Sequence, residues 1–189
     1  MIQGIIPFAH QLLKNSVHEG DTVIDATCGN GNDTLFLAKL VGKEGHVYAV
    51  DVQEQAIKTT KNLLEQHHCN YITYIHDNHA NIKQFLPNEL YGTIGGVVFN
   101  LGYLPKSDKQ IITKGSTTVE AIKTLIKYIR KHALIVIVIY HGHEGGKEEK
   151  EMVLSFVKEL DQSYYSVLKY EFINQINNPP FIIAIQKKK

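Results

Sequence analysis

The stretch VIDATCGNGNDT, residues 23–34, begins as an apolar strand and ends on residues that commonly start helices. Gly29 and Gly31 allow the chain to turn tightly after the strand and to bring backbone N–H groups close to a ligand. The Asn-Asp-Thr sequence at 32–34 then supplies good N-terminal capping residues. A strand, a glycine-containing turn and a helix in this order predict a nucleotide-type binding loop.

Outward from this loop, apolar β-branched runs alternate with segments of helical period. The predicted elements are strand 22–27, helix 33–41, strand 46–51, helix 53–66, strand 72–77, strand 95–100, helix 117–131, strand 133–140, helix 147–161, and late strands 165–173 and 180–186. Only NQINNPP separates the last two strands, so a hairpin is favoured there and the final strand is predicted to be antiparallel. The pattern predicts an α/β fold with a doubly wound, mostly parallel, seven-stranded sheet, and ligands at the carboxyl ends of its strands.

The composition is that of an ordinary globular protein, with 43% hydrophobic and 21% charged residues. A length of 189 residues predicts one domain, residues 1–189. No run is apolar enough to span a bilayer and no secretory leader is evident, which favours a cytoplasmic protein. Because the net charge is only +1, a nucleic-acid partner would have to be held by local patches.

Asp51 indicates which kind of ligand the loop holds. It ends the second predicted strand, where a carboxylate can accept hydrogen bonds from both ribose hydroxyls of an adenosine. A dinucleotide fingerprint would require glycine at Thr34, which weakens the alternative of a nicotinamide-dependent oxidoreductase. The carboxylates and asparagines around the loop also suit an amino-acid zwitterion better than a diphosphate.

The residues D-x-x-C-G-N-G at 25–31 resemble the first motif of class I S-adenosylmethionine-dependent methyltransferases, D-x-G-x-G-x-G, with Thr27 in place of the first glycine. The resemblance implies a Rossmann-like fold with S-adenosylmethionine as the cofactor. It places the loop along the methionine part, Asp51 and Gln53 at the ribose, and Asp77 beside the adenine. The cofactor-binding residues expected on this basis are Asp25, Thr27, Gly29, Asn30, Gly31, Asn32, Asp33, Thr34, Asp51, Gln53, Asp77, His79 and Asn100.

The fourth strand ends in FNLGYLPKSDK, which resembles the Asn-Pro-Pro-aromatic motif of amino-group methyltransferases. By that resemblance Asn100 is a catalytic residue, whose side-chain carbonyl accepts the N–H bonds of an amine and orients its lone pair. Gly102 and Tyr103 are expected to bind the substrate, and the long loop after them is expected to cover it. The structural alternative is that Asn100 caps a turn and Tyr103 only packs.

The fifth strand ends in YHGHEGG, which places Tyr140, His141 and His143 at the same edge of the predicted sheet. We predict catalytic roles for Tyr140 and His141 and a substrate contact for His143. Either of the first two could assist deprotonation of an amine or stack on a base, and the sequence leaves that choice open. The charge run KEEKE at 147–151 is interpreted as the solvated start of a helix. Histidine spacing alone is a weak metal signature, and no metal is expected.

The ordered motifs DATCGNGNDT, VDVQ, HDNH, NLGYLPKSDK, YHGHEGG and NNPPF cover nearly the whole chain and together resemble the YtqB/MnmM family. This resemblance implies N-methylation of 5-aminomethyl-2-thiouridine at the wobble position of tRNA. It also implies the tRNA anticodon loop as partner, and a homodimer is a further expectation. The alternatives are an rRNA base-amine methyltransferase, the oxidoreductase above, and a non-catalytic RNA-binding module.

Overall fold

The computed structural model describes residues 1–102 and 113–189. Its helices and strands are α1 Ile5–Ser16, β1 Thr22–Asp25, α2 Asn32–Val41, β2 His46–Asp51, α3 Glu54–Gln66, β3 Ile72–His76, β4 Ile94–Leu101, α4 Gly115–Tyr128, β5 Ile129–Ile139, α5 Gly146–Lys158, β6 Tyr165–Tyr170 and β7 Phe181–Lys187. Two short 3₁₀ segments, His79–Gln84 and Asn88–Leu90, lie between β3 and β4. None of the described helices is long and apolar enough to cross a membrane.

The strands form one sheet in the order β3-β2-β1-β4-β5-β7-β6. Neighbouring strands from β3 to β5 are parallel, and β7 is antiparallel to both β5 and β6. The predicted seven-stranded sheet with an antiparallel last strand is therefore confirmed. The order reverses between β1 and β4, so their carboxyl ends border the crevice in which ligands of such sheets bind.

Helices cover both faces of the sheet, which explains why its central strands are apolar on both sides. One core cluster joins the sheet to α4 and α5, and the other joins it to α1, α2 and α3. The helix α4 ends at Tyr128, earlier than predicted, because Ile129 already pairs with Ile94 in the sheet. Residues 129–131, which helical periodicity alone assigns to the helix, therefore belong to β5.

Candidate active site

A cavity of about 690 Å³ opens at the carboxyl ends of β1, β2 and β4. The described residues that line it are Ile6, Ala26, Thr27, Cys28, Gly29, Asn30, Asn32, Asp33, Asp51, Val52, Gln53, Asp77, Asn78, His79, Asn100, Leu101, Gly102, Thr113, Lys114, Thr117 and Tyr140. Most of the residues predicted from the sequence are in this set. Asp25, Gly31, Thr34, His141 and His143 are not, and Tyr103 lies outside the described residues.

Asp25 and Thr34 stabilise the loop through hydrogen bonds in the protein interior and do not line the cavity. Both side chains are completely buried, and the Thr34 hydroxyl donates to Asp25 Oδ2 at 2.6 Å. The backbone N–H of Thr27 donates to the other carboxylate oxygen at 3.2 Å. These bonds fix the loop to the start of α2, and a direct contact of either residue with the cofactor stays a prediction.

Burial and the nearby Asp33 raise the pKa of Asp25 from its usual 3.8 to about 7. Between about pH 4 and pH 7 this carboxyl binds more protons in the folded state than in the unfolded state. The free energy of unfolding therefore falls as the pH rises through that range. We expect the free energy of unfolding of Asp25→Asn to gain at least about 1 kcal/mol on that of wild type as the pH rises from about 4 to 7, because asparagine does not ionise. Urea unfolding between pH 4 and 8 measures the difference.

The exposed Glu44→Gln variant is the matched control for that measurement, and its stability should parallel wild type at every pH. If the stability of Asp25→Asn also ran parallel to that of wild type at every pH, ionisation of Asp25 would not destabilise the fold and the prediction would be contradicted.

Gly31 is required for packing and does not contact the cavity. Its φ is +82°, and a Cβ at this position would lie 2.9 Å from the Cα of Thr60 on α3. Its N–H donates to Cys28 O at 2.7 Å, while the N–H of Gly29 donates to Asp51 Oδ2 at 3.0 Å. Both N–H groups therefore shape the turn, while Gly29 also lines the cavity, and the predicted approach of this backbone to a ligand stays a prediction.

Asp51 joins the end of β2 to this loop and still lines the cavity. Its Oδ1 accepts the N–H of Gln53 at 2.9 Å, and its Oδ2 accepts that of Gly29. Burial raises the pKa of this carboxyl, and the two backbone bonds oppose the shift. Each carboxylate oxygen can accept a further hydrogen bond, so Asp51 is placed to bind a pair of neighbouring hydroxyls.

The end of β3 supplies a second polar wall. Asp77 Oδ1 accepts from the N–H of Asn78 at 2.6 Å and from Asn81 Nδ2 at 2.9 Å. His79 is buried, which lowers its pKa to about 4, so the ring is neutral at physiological pH. A neutral imidazole beside the cavity suits an uncharged ring better than an anionic group.

Asn100 is held at the end of β4 by two hydrogen bonds. Its backbone N–H donates to Thr27 Oγ1 at 2.7 Å, and its Nδ2 donates to Asp33 Oδ2. Within the described part of the chain its Oδ1 is buried and accepts no hydrogen bond. A buried acceptor without a donor costs about 1–3 kcal/mol, so this oxygen is one that a ligand N–H would satisfy.

Tyr140 and the two histidines after it lie in different surroundings. Tyr140 lines the cavity, and burial, with a smaller effect of Asp33, raises the pKa of its hydroxyl. His141 instead packs edge-on against Phe181 with ring centroids 5.6 Å apart, and His143 Nδ1 lies 2.8 Å from the Glu144 carbonyl. A Cβ on the cavity-lining Gly102 would nevertheless lie 3.3 Å from Tyr140 Cβ and 3.5 Å from His143 Nε2, so His143 lies close to this wall, and the roles predicted for the two histidines stay predictions.

Glu149 was missed in the sequence because it lies in a charged run. It is only 1% exposed and accepts from Thr113 Oγ1 at 2.6 Å and Thr118 Oγ1 at 2.8 Å. Thr113 in turn accepts the N–H of Gly102 at 2.9 Å. The spacing of Glu149 from the buried Val153 on α5 is the signal that places it on the inner helix face.

The charges along the cavity favour a cationic or zwitterionic ligand. Carboxylates of Asp33, Asp51 and Asp77 line it, whereas Lys114 is its one Lys or Arg among the described residues. A diphosphate would be repelled by this set. This set of acceptors fits an adenosine with a positively charged tail, because Asp51 can accept from ribose hydroxyls and Asp33 supplies negative charge.

Residues 47–186 match the family described as "Putative rRNA methylase". The Arabidopsis thaliana protein "tRNA (mnm(5)s(2)U34)-methyltransferase, chloroplastic" is 37% identical over 191 residues, covering 95% of this chain and 68% of that protein. A "putative rRNA-methylase" from Clostridium thermocellum is 41% identical, with a TM-score of 0.95 over 99% of both chains. A "putative methyltransferase" from Streptococcus mutans, solved in complex with SAH, is 40% identical, with a TM-score of 0.89 over 99% of both chains.

Proposed function

Since the chain belongs to the family described as "Putative rRNA methylase", we propose that it N-methylates 5-aminomethyl-2-thiouridine at the wobble position of tRNA. It is a methyltransferase that uses S-adenosylmethionine. The finer assignment is supported by the name of the Arabidopsis relative and by the ordered motifs along the chain. We further propose that residues 1–189 form one methyltransferase domain.

The observation that carries this proposal is the buried Oδ1 of Asn100, which has no hydrogen-bond partner among residues 1–102 and 113–189. A primary amine has N–H donors that this buried oxygen can bind, and binding them would direct the nitrogen lone pair away from Asn100 into the cavity. An orienting group of this kind acts mainly through positioning, which can lower a barrier by several kcal/mol. A hydroxyl substrate has a single donor, so the same oxygen would orient it less completely.

The remaining side chains are proposed to bind the cofactor and the base. When bound, S-adenosylmethionine supplies a methyl group carried on a sulfonium sulfur. Asp51 accepts its ribose hydroxyls, Gln53 lies beside them, and Asp77 with His79 borders the adenine. Asp33 places negative charge beside the positively charged methionine part. Tyr140, 38% exposed at the wall of the cavity, offers a ring on which a uracil base can stack.

An alkyl amine is largely protonated near neutral pH and must lose a proton before it can attack. The carboxylate of Asp33 is the charged acceptor nearest to Asn100, since it already binds its amide. Tyr140, whose pKa is raised, keeps its proton at neutral pH and is better suited to stacking. His141 does not line the cavity, which favours Asp33 over His141 as the direct proton acceptor. A homodimer and the contact with the anticodon loop stay predictions.

Purified protein is expected to transfer a methyl group to tRNA that carries 5-aminomethyl-2-thiouridine, giving the methylaminomethyl nucleoside with a net mass increase of one CH₂ unit, because the methyl group replaces an amine hydrogen. The physical reason is that this nucleoside carries a primary alkyl amine that Asn100 Oδ1 can orient. Mass spectrometry of digested nucleosides measures the product, and the same tRNA lacking the aminomethyl group is the control. Methylation of a base amine in rRNA, with none of the modified tRNA, would favour the rRNA alternative and contradict the proposal.

A further inference from the structure

His10 is linked to the proposed nucleophile-orienting residue by two successive side-chain contacts. Its Nε2 lies 2.6 Å from Asp33 Oδ1, and the other oxygen of that carboxylate accepts from Nδ2 of Asn100. We propose that His10 is a positioning residue for methyl transfer, which acts through Asp33 to hold the Asn100 amide with its carbonyl oxygen free for the amine. This inference rests on the proposed function.

Asp33 determines which end of the Asn100 amide is free. An ionised carboxylate only accepts hydrogen bonds, so it binds the Nδ2 group and would repel Oδ1 if the amide turned over. With Nδ2 engaged, Oδ1 is the group left without a partner in the described part of the chain. The acceptor role of Asn100 therefore depends on Asp33 keeping its place.

His10 fixes the carboxylate of Asp33 from the opposite side. Either a neutral ring with its proton on Nε2 or a protonated ring donates to Oδ1, so the contact survives either state of the imidazole. Bonds to both carboxylate oxygens restrain rotation of the group, which one bond would leave partly free. Without His10, Asp33 would have room to turn and the Asn100 amide would lose its fixed partner.

The imidazole itself is held rigidly between two helices. Its ring stacks on Phe36 of α2, with centroids 3.9 Å apart and planes 4° from parallel. His10 lies one helical turn after Ile6, which lines the cavity. Helix α1 therefore contributes to the site, although none of the motifs that identify the cofactor loop lies in it.

The alternative is that His10 only packs α1 against α2. The stacking on Phe36 would serve that role without any ring nitrogen. A variant that keeps an aromatic ring and removes Nε2 separates the two roles, because it retains the packing and loses only the donor to Asp33.

The test compares His10→Phe with His10→Gln, which restores an N–H donor at similar reach. In single-turnover methylation of tRNA carrying 5-aminomethyl-2-thiouridine, His10→Phe is expected to lower the rate about tenfold, since small misplacement of a reacting group is costly. The Kd for S-adenosylhomocysteine should stay within about twofold of wild type, and His10→Gln should recover most of the rate. Gln11→Ala, exposed on the same helix, is the control and should match wild type.

The decisive measurement repeats His10→Phe in an Asn100→Ala background. If His10 acts through Asn100, the second substitution should change the remaining rate by less than about twofold, because the group it positions is already gone. A tenfold loss in both backgrounds would overturn the inference, and so would a wild-type rate in His10→Phe. If His10→Phe did not fold, the His10→Gln variant would decide. A folded His10→Gln protein that methylates much more slowly than wild type would also overturn the inference.

Failure of this inference is distinguishable from failure of the proposed function. A wild-type protein that transfers no methyl group to the aminomethyl tRNA contradicts both. If wild type is active and the rate losses of His10→Phe and Asn100→Ala simply multiply in the double variant, only the proposed role of His10 is contradicted.

Discussion

Asn100→Ala is expected to lower kcat/KM for the aminomethyl tRNA by roughly a hundredfold or more. The substitution removes the Oδ1 that would orient the amine, and alanine leaves nothing in its place to accept an N–H. Asp33 keeps its contact with His10, so the carboxylate stays in the cavity wall. Single-turnover methylation with saturating cofactor measures the effect on the chemical step.

The same variant should bind S-adenosylhomocysteine nearly as tightly as wild type in calorimetry, because the proposed role of Asn100 is toward the amine. Asn62→Ala, on the exposed face of α3, is the matched control and should retain full activity. Activity of Asn100→Ala within a few-fold of wild type would remove the orienting role. A large loss of cofactor affinity would instead make Asn100 chiefly a cofactor residue.

Asp51→Ala is expected to weaken cofactor binding by about a hundredfold or more. A hydrogen bond to a charged acceptor contributes about 1.5–3 kcal/mol, and Asp51 is proposed to accept two from the ribose. The loss should be enlarged because the N–H groups of Gly29 and Gln53 also lose their acceptor, which loosens the loop. Calorimetric titration with S-adenosylhomocysteine gives the affinity directly.

Circular dichroism should show that Asp51→Ala keeps its secondary structure, since the side chain lies at the end of β2 and outside the two core clusters. Glu44→Ala, an exposed carboxylate in the turn before β2, is the control and should bind as wild type does. Unchanged affinity in a folded Asp51→Ala protein would exclude Asp51 from the cofactor site.

Much of the fold was readable from the sequence because strands and helices leave local periodic signals. The apolar run at 133–140 and the closely spaced last two runs were enough to predict a central strand and an antiparallel end to the sheet. In a parallel sheet the carboxyl ends of strands share one edge, so Asp51 and Asn100 could be placed at one cavity without knowing any distance.

Only the tertiary structure decided which side chains reach that cavity and which support it. Asp25 looked like a ligand residue by position, yet it is buried behind the loop because Thr34 turns back to bind it. His10 and Glu149 gave no motif, since their partners Asp33 and Thr113 lie on other elements, 23 and 36 residues away along the chain. Sequence periodicity records the face on which a residue lies and the end of the strand it follows. A hydrogen bond between distant elements is set by the distance and angle between two packed surfaces, and no local pattern carries that information.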